Sequence, residues 1–272
     1  MEIVMSLSLS ALSAAVRRAL VGAFVVVAAG PHAPVRADGA PSIAAAASLR
    51  YALDEIAKRY EMETGKRVKI TYGATGNLVH QIENAAPFQA LFAADDESVK
   101  KLAKGGFTDG EPVVFARGQL SLIAPEGSPV TVDADLKGLK EALAAGKVKH
   151  ISIANPDVAP YGVAARQALQ KAGLWGQVQP LLVIGENVGQ AAQFVSTGAA
   201  EVGLVAQSLA ISTDLAPKIT SAVVPEAWHE PIDQGMALVK DASSDAKAFA
   251  DFVRGPNGRA VLETSGFSVP TS

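Results

Sequence analysis

Hydrophobic positions change period repeatedly along the chain. Short apolar or β-rich runs occupy residues 42–46, 67–72, 90–93, 113–116, 121–124, 150–154, 181–184, 202–205 and 221–224. Between most of them the apolar positions recur at three- and four-residue steps. Leu49, Leu53, Ile56 and Tyr60 make one such face, and Val163, Ala164, Ala168 and Leu169 another. Strand-like runs alternating with helical ones through short connections predict an α/β fold of mainly parallel sheets flanked by helices. Two stretches break the alternation. Residues 113–124 and 235–239 read as long strands without a helix between them, which suits a chain that crosses into a second lobe and later returns. No internal repeat or low-complexity linker interrupts the pattern.

The first forty residues follow a different logic. Arg17-Arg18 precedes an apolar run over 19–29, closed by Gly30-Pro31, and Val35-Arg36-Ala37 then offers small residues on either side of Arg36 before Asp38. A positive segment, a short apolar core and a small-residue cleavage site in that order predict a signal peptide over 1–37, cut near Ala37-Asp38. The apolar run is too short to cross a bilayer. The start could equally be Met5. Cleavage removes three arginines against one glutamate, so the mature chain is more acidic than its precursor.

Composition narrows the chemistry. The chain has 272 residues, 49% hydrophobic, which suffices for one large domain or two modest ones. A formal charge of −3, with Lys and Arg scattered, argues against a nucleic-acid partner. There is no cysteine, hence no disulfide, thiolate nucleophile or iron–sulfur cluster. His32, His80, His150 and His229 show no i, i+4 pairing, so a histidine-built metal site is not expected. Enzyme signatures are also missing: no G-x-S-x-G, P-loop or dinucleotide fingerprint occurs. Ser98 to Lys101 spells S-x-x-K, but no K-T-G follows. The paired acids Asp54-Glu55 and Asp95-Asp96 read as surface or cap residues. A secreted hydrolase is therefore the remote alternative.

Four helix starts carry the remaining signal. Ser48 sits at the N-cap of a helix over 49–62. Thr75 and Asn77, in Gly73-Ala74-Thr75-Gly76-Asn77, precede a helix reaching Asn84. Residues 155–162, including Asp157 and Tyr161, lead a helix to Ala172. Gly185-Glu186-Asn187-Val188-Gly189 opens a helix to Ser196. Helix starts expose unpaired N–H groups and a partial positive charge, and together these bind anions. In open α/β sheets ligands bind beyond the carboxyl ends of the strands, where such turns lie. Any one of these sites alone would pass for ordinary capping.

The wording of the segments resembles the periplasmic molybdate-binding proteins of ABC uptake transporters. Ala45-Ala46-Ala47-Ser48-Leu49 is similar to that family's first strand and oxyanion serine, and Tyr72-Gly73-Ala74-Thr75-Gly76-Asn77-Leu78 to its second hydroxyl-bearing loop. Ala86-Pro87-Phe88 with Leu91-Phe92-Ala93-Ala94-Asp95, the stretch from Asn155-Pro156 to Pro160-Tyr161-Gly162, Glu186-Asn187-Val188, Gly255-Pro256 and Gly266-Phe267 continue it in order, over nearly all of 42–270. The resemblance implies a type II two-lobed periplasmic-binding-protein fold, each lobe a mainly parallel sheet flanked by helices, with two crossing strands as hinge. Lobe one would comprise 42–116 and 233–272, and lobe two 117–232. It further implies a monomer in the periplasm with no cofactor, binding molybdate or tungstate and docking on permease subunits in the inner membrane. Ser48 and Thr75 would donate from the first lobe, Tyr161 and Val188 from the second, Val188 through its backbone N–H. Gly76, Asn77 and Asn187 would stand behind them. Some relatives place a tyrosine where this chain has Ala206, so a fifth hydroxyl is not supplied there.

A neutral site fits such a ligand. A tetrahedral dianion taken out of water needs many hydrogen bonds, which fixed N–H and O–H donors supply without a countercharge. No direct protein–metal bond is expected. A hydrogen phosphate would want an acceptor, which Asp157 could provide, and sulfate and thiosulfate receptors share the architecture. Ferric-iron receptors commonly use adjacent tyrosines, whereas Tyr51, Tyr60, Tyr72 and Tyr161 are all separated. The secreted product begins at or within a few residues of Asp38, which N-terminal sequencing of the periplasmic protein checks; retained Arg17-Arg18 would contradict it.

Overall fold

A computed structural model describes residues 39–270, so the signal segment expected over 1–37 lies outside it. Ten strands form two five-stranded sheets among the described residues. The first sheet uses β1 (Ser42–Ala46), β2 (Lys69–Gly73), β3 (Ala90–Phe92), β4 (Thr108–Gly118) and β10 (Ile232–Val239), in the order β2-β1-β3-β10-β4. The second uses β5 (Leu120–Pro125), β6 (Ile151–Ala154), β7 (Leu182–Gly185), β8 (Val202–Ala206) and β9 (Ile219–Val223), in the order β7-β6-β8-β5-β9. The two orders share one plan. β1 runs parallel to β2 and β3, and β6 parallel to β7 and β8. Beyond each parallel trio lies a strand antiparallel to both its neighbours, β10 in one sheet and β5 in the other.

Each sheet is therefore mixed, with a parallel half that carries the helix crossovers. The central strands β1, β6 and β8 are almost continuously buried and built from Ala, Val, Ile and Leu, the pattern of strands covered on both faces. The helices are α1 (Arg50–Thr64), α2 (Thr75–Glu83), α3 (Asp96–Lys104), α4 (Lys137–Ala144), α5 (Pro160–Lys171), α6 (Trp175–Val178), α7 (Val188–Ser196), α8 (Gln207–Ala210), α9 (Ser244–Arg254) and α10 (Pro256–Thr264). In α1 the buried residues are Ala52, Leu53, Ile56 and Tyr60, which follow the periodic face seen in sequence. Gly65 ends this helix in the left-handed region, its N–H donating to the Glu61 carbonyl.

The chain changes sheet between Gly118 and Leu120, with only Gln119 between the two strands. Its return, from Val223 to Ile232, is not a strand. It contains a 3-10 turn at Glu226–Trp228. Pro225 and Pro231 flank that turn, and neither has an N–H to offer a ladder. β10 then pairs with β4 from Ile232 opposite Gly118, so both passages meet at one place in the first sheet.

The C-terminal helices close the first lobe. Phe249 of α9 is fully buried and meets Tyr60 edge-on at 5.4 Å and Phe92 at 6.1 Å, while Phe92 meets Phe115 at 5.5 Å. Such pairs add to the area that the rings bury. Phe249→Ala should destabilise the protein by about 3–5 kcal/mol, as large-to-small changes in cores do. A denaturant midpoint shifted accordingly at unchanged slope checks this, and a neutral result would detach the C-terminal segment from the core of the first lobe.

Candidate functional site

Four chain segments that follow parallel strands meet between the two sheets. Ala46, Ala47, Ser48, Gly73, Ala74, Thr75 and Ala94 on one side, and Ala159, Pro160, Tyr161 and Val188 on the other, enclose a cavity of about 10 Å³. Its walls are helix starts. Ser48 lies in a 3-10 turn, Ala47–Leu49, that leads directly into α1. Thr75 is the first residue of α2, Tyr161 the second of α5 after Pro160, and Val188 the first of α7. N–H groups in a first helical turn have no intrahelical acceptor.

The residues that would normally cap these helices do not. Ala46, Ala74 and Ala159 occupy the cap positions, and none provides a side-chain hydrogen bond. Alanine is among the poorest N-caps. The exception, Asn187, accepts from the N–H groups of Gly189 at 2.9 Å and Gln190 at 3.1 Å, which leaves the Val188 N–H outside its cap. The helix starts thus present backbone donors, at the positive ends of their dipoles, to one small space.

Hydroxyls add to them. Ser48 Oγ and Tyr161 Oη are buried and have no hydrogen-bond partner among the described residues. Thr75 Oγ1 accepts from the Ala94 N–H at 3.0 Å, so its own hydrogen remains available to an acceptor. Burial pushes the Tyr161 hydroxyl well above the ordinary tyrosine value, partly opposed by the nearby Ser48 hydroxyl; it is a neutral donor at any physiological pH. No carboxylate and no Lys or Arg lines the cavity. Arg50, the cation nearest in sequence, stacks over the Tyr72 ring at 4.4 Å.

A much larger space, a groove of about 530 Å³, lies alongside and also runs between the sheets. Asp95, Asp96, Glu97, Asp157, Glu230 and Asp233 line it, and Asp95 is held above the usual carboxylate range by its burial. The groove is acidic where the small cavity is neutral. Asp157 therefore belongs to the groove and is exposed; it supplies no acceptor to the cavity.

The lobes touch directly around the cavity. The Gly76 N–H donates to the Val158 carbonyl at 2.9 Å, Ser208 Oγ to the Ser48 carbonyl at 2.7 Å, and Tyr51 Oη to Asp214 at 3.1 Å. The primary residues chosen from sequence, Ser48, Thr75, Tyr161 and Val188, all line the cavity, but two occupy other positions than expected. Ser48 is inside the 3-10 turn and not an N-cap, because that tight turn brings the helix start forward by three residues. Thr75 begins its helix instead of preceding it, and Asn77 is consequently the third helical residue, off the cavity wall. Gly76 engages its N–H with Val158, Asn187 is a cap, and Ala206 is fully buried away from the cavity. The alanines at these cap positions carry no signal of their own in the sequence pattern. An alanine directly ahead of a helix, where Ser or Asp is usual, is a sign only once the helix start is located.

Two mixed α/β lobes closed over a neutral pocket of helix-start donors define a two-lobed solute-binding protein. Residues 41–268 match the family model described as bacterial extracellular solute-binding protein, and the chain belongs to that family. It is similar to the molybdate-binding protein ModA of Azotobacter vinelandii, 36% identical over 230 residues that cover 84% of this chain and 89% of the relative. The ModA of Rhodobacter capsulatus is 33% identical, covering 82% and 86% respectively. Among solved structures, the periplasmic molybdate-binding protein of Azotobacter vinelandii superposes with a TM-score of 0.76 at 30% identity, over 85% of this chain and all of that one.

The raised Tyr161 value has a measurable consequence. Above the ordinary tyrosine pKa of 10.0 the unfolded chain releases this proton while the folded protein keeps it, so stability falls as pH rises past that point. Tyr161→Phe removes this contribution. Denaturant unfolding on either side of about pH 10 should show a shallower alkaline loss for the variant, though not a flat one, since burial also raises Tyr72. An unchanged alkaline slope would contradict the burial of the ionisable hydroxyl.

Proposed function

We propose that this chain is the periplasmic substrate-binding component of an ABC importer, and that it receives molybdate, with tungstate as an equivalent ligand, in the small cavity between its lobes. The observation that carries the reading is the convergence of helix-start N–H groups with the Ser48, Thr75 and Tyr161 hydroxyls on a space without carboxylate or countercharge. Such a donor-only site favours a fully ionised oxyanion, because each oxygen can accept charge-assisted bonds and no proton needs an acceptor. Hydrogen phosphate carries that proton, and the acceptor the sequence offered, Asp157, lines the other space. The similarity to proteins named as molybdate-binding supports the choice of ligand.

In this reading Ser48 and Thr75 donate from the first lobe, and Tyr161 and the Val188 N–H from the second. A ligand held from both sides stabilises the closed arrangement through its greater affinity for it. The protein acts as a receptor and not as a catalyst, and hands its ligand to permease subunits in the inner membrane.

A thermal-shift series on the purified mature chain tests this. Molybdate and tungstate, nearly equal in size and charge, should stabilise the native state by about 2.7 kcal/mol at a hundred dissociation constants. Sulfate and phosphate should do little at the same concentration. A smaller ion cannot reach donors of both lobes at once, and each missed bond in a dry site costs roughly 1–3 kcal/mol. Ser48→Ala and Thr75→Ala should each weaken binding by roughly 1.5–3 kcal/mol while leaving the ligand-free fold intact. A larger shift with sulfate than with molybdate would reassign the ligand; normal binding by both variants would displace the site.

A further inference from the structure

Tyr161 is rooted in the first turn of α5, in the second lobe, yet its hydroxyl reaches β4 of the first sheet. Gly118, the last residue of β4, is buried and pairs with Ile232 where the chain passes between the lobes. A Cβ built on Gly118 would lie 2.0 Å from Tyr161 Oη and 3.1 Å from Cζ, far inside contact distance. The backbone does not demand glycine here: Gly118 is absent from the positive-φ region that the chain's other strained glycines occupy. The tyrosine demands it. The hydroxyl fills the volume that any side chain at 118 would take.

The opposite wall of this notch leads to the first lobe's donors. Gln234 of β10 is fully buried, and its Nε2 would be 3.2 Å from the same Cβ. That Nε2 donates to the Ile232 carbonyl at 2.9 Å and, at 3.5 Å, to the carbonyl of Ala94, whose N–H donates to Thr75 Oγ1. One donor from each lobe is thus referenced to the same few residues where β4 and β10 pair.

We infer that Gly118 is a positioning residue of the ligand site, whose missing side chain lets the crossing strand seat the Tyr161 hydroxyl and so fix the reach of the second lobe's donor. The inference rests on the oxyanion reading above and adds the element that sets donor spacing. Gly118 touches no ligand; it acts through Tyr161. Closure and donor placement are then one event, because the strand that articulates the lobes is also the surface on which the donor rests.

A double-mutant cycle tests it, with molybdate affinity measured by titration calorimetry for the wild-type chain, Gly118→Ala, Tyr161→Ala and the double variant. Gly118→Ala should weaken binding by about tenfold or more when Tyr161 is present. With alanine at 161 the same change should alter affinity by no more than about twofold, the spread expected of uncoupled sites. A general requirement for glycine in the strand would instead produce equal losses in both backgrounds, and that result overturns the inference, as does normal binding by Gly118→Ala. If Gly118→Ala alone does not fold, the ligand-free unfolding midpoints decide. A folded double variant supports the steric coupling, and a double variant that fails where Tyr161→Ala folds overturns it. A wild-type chain that binds no oxyanion refutes the functional reading instead.

Discussion

Backbone N–H groups at a helix start have no partner inside their own helix, and the fold must find acceptors for them. A Ser, Asp or Asn at the cap solves this locally, as Asp95 does for α3, Asn187 for α7 and Ser243 for α9. Three segments around the small cavity begin after alanine instead. A buried donor without an acceptor costs free energy comparable to a lost hydrogen bond. Three such segments, aimed at one point with two unpartnered hydroxyls, make a cavity whose chemistry is set before any ligand property is considered. Such a cavity favours an occupant that accepts many hydrogen bonds.

The rest of the architecture serves to aim these donors. Parallel strands β1, β2, β6 and β7 deliver their following helices to the same edge of each sheet, as open α/β sheets do. The antiparallel strands β10 and β5 lie beyond the parallel trios, and the passage after β4 brings Gly118 against the Tyr161 hydroxyl of the cavity wall. Charge then separates the two spaces between the lobes. The groove is roomy and acidic, whereas the small cavity is neutral and lined by donors.

Direct bonds between the lobes hold the cavity shut. The Ser208 hydroxyl on the Ser48 carbonyl and the Gly76 N–H on Val158 use short polar groups beside the cavity, so the contacts that close it involve residues of its own walls or their neighbours in the chain. The first of these follows β8 by two residues, close to Ala206, where a ligand hydroxyl was not supplied. That strand end contributes instead to joining the lobes.

Periodicity along the chain was enough to determine the alternation of strands and helices, since burial on both faces writes continuous apolar runs and burial on one helical face writes three- and four-residue steps. Periodicity did not single out the four primary cavity residues; Ser48, Thr75, Tyr161 and Val188 followed from the resemblance of their segments, in order and spacing, to the molybdate-binding proteins. The tertiary structure alone decided which N–H groups remain free. Gly76 and Val188 look alike in sequence as helix-start donors, but a carbonyl of the other lobe engages the first and leaves the second. It alone decided that Asp157 faces a different space from Tyr161, four residues away, and that Gly118 is shaped by a tyrosine forty-three positions later. Contacts between distant segments depend on how two sheets are set against each other, and no local pattern of residues encodes that.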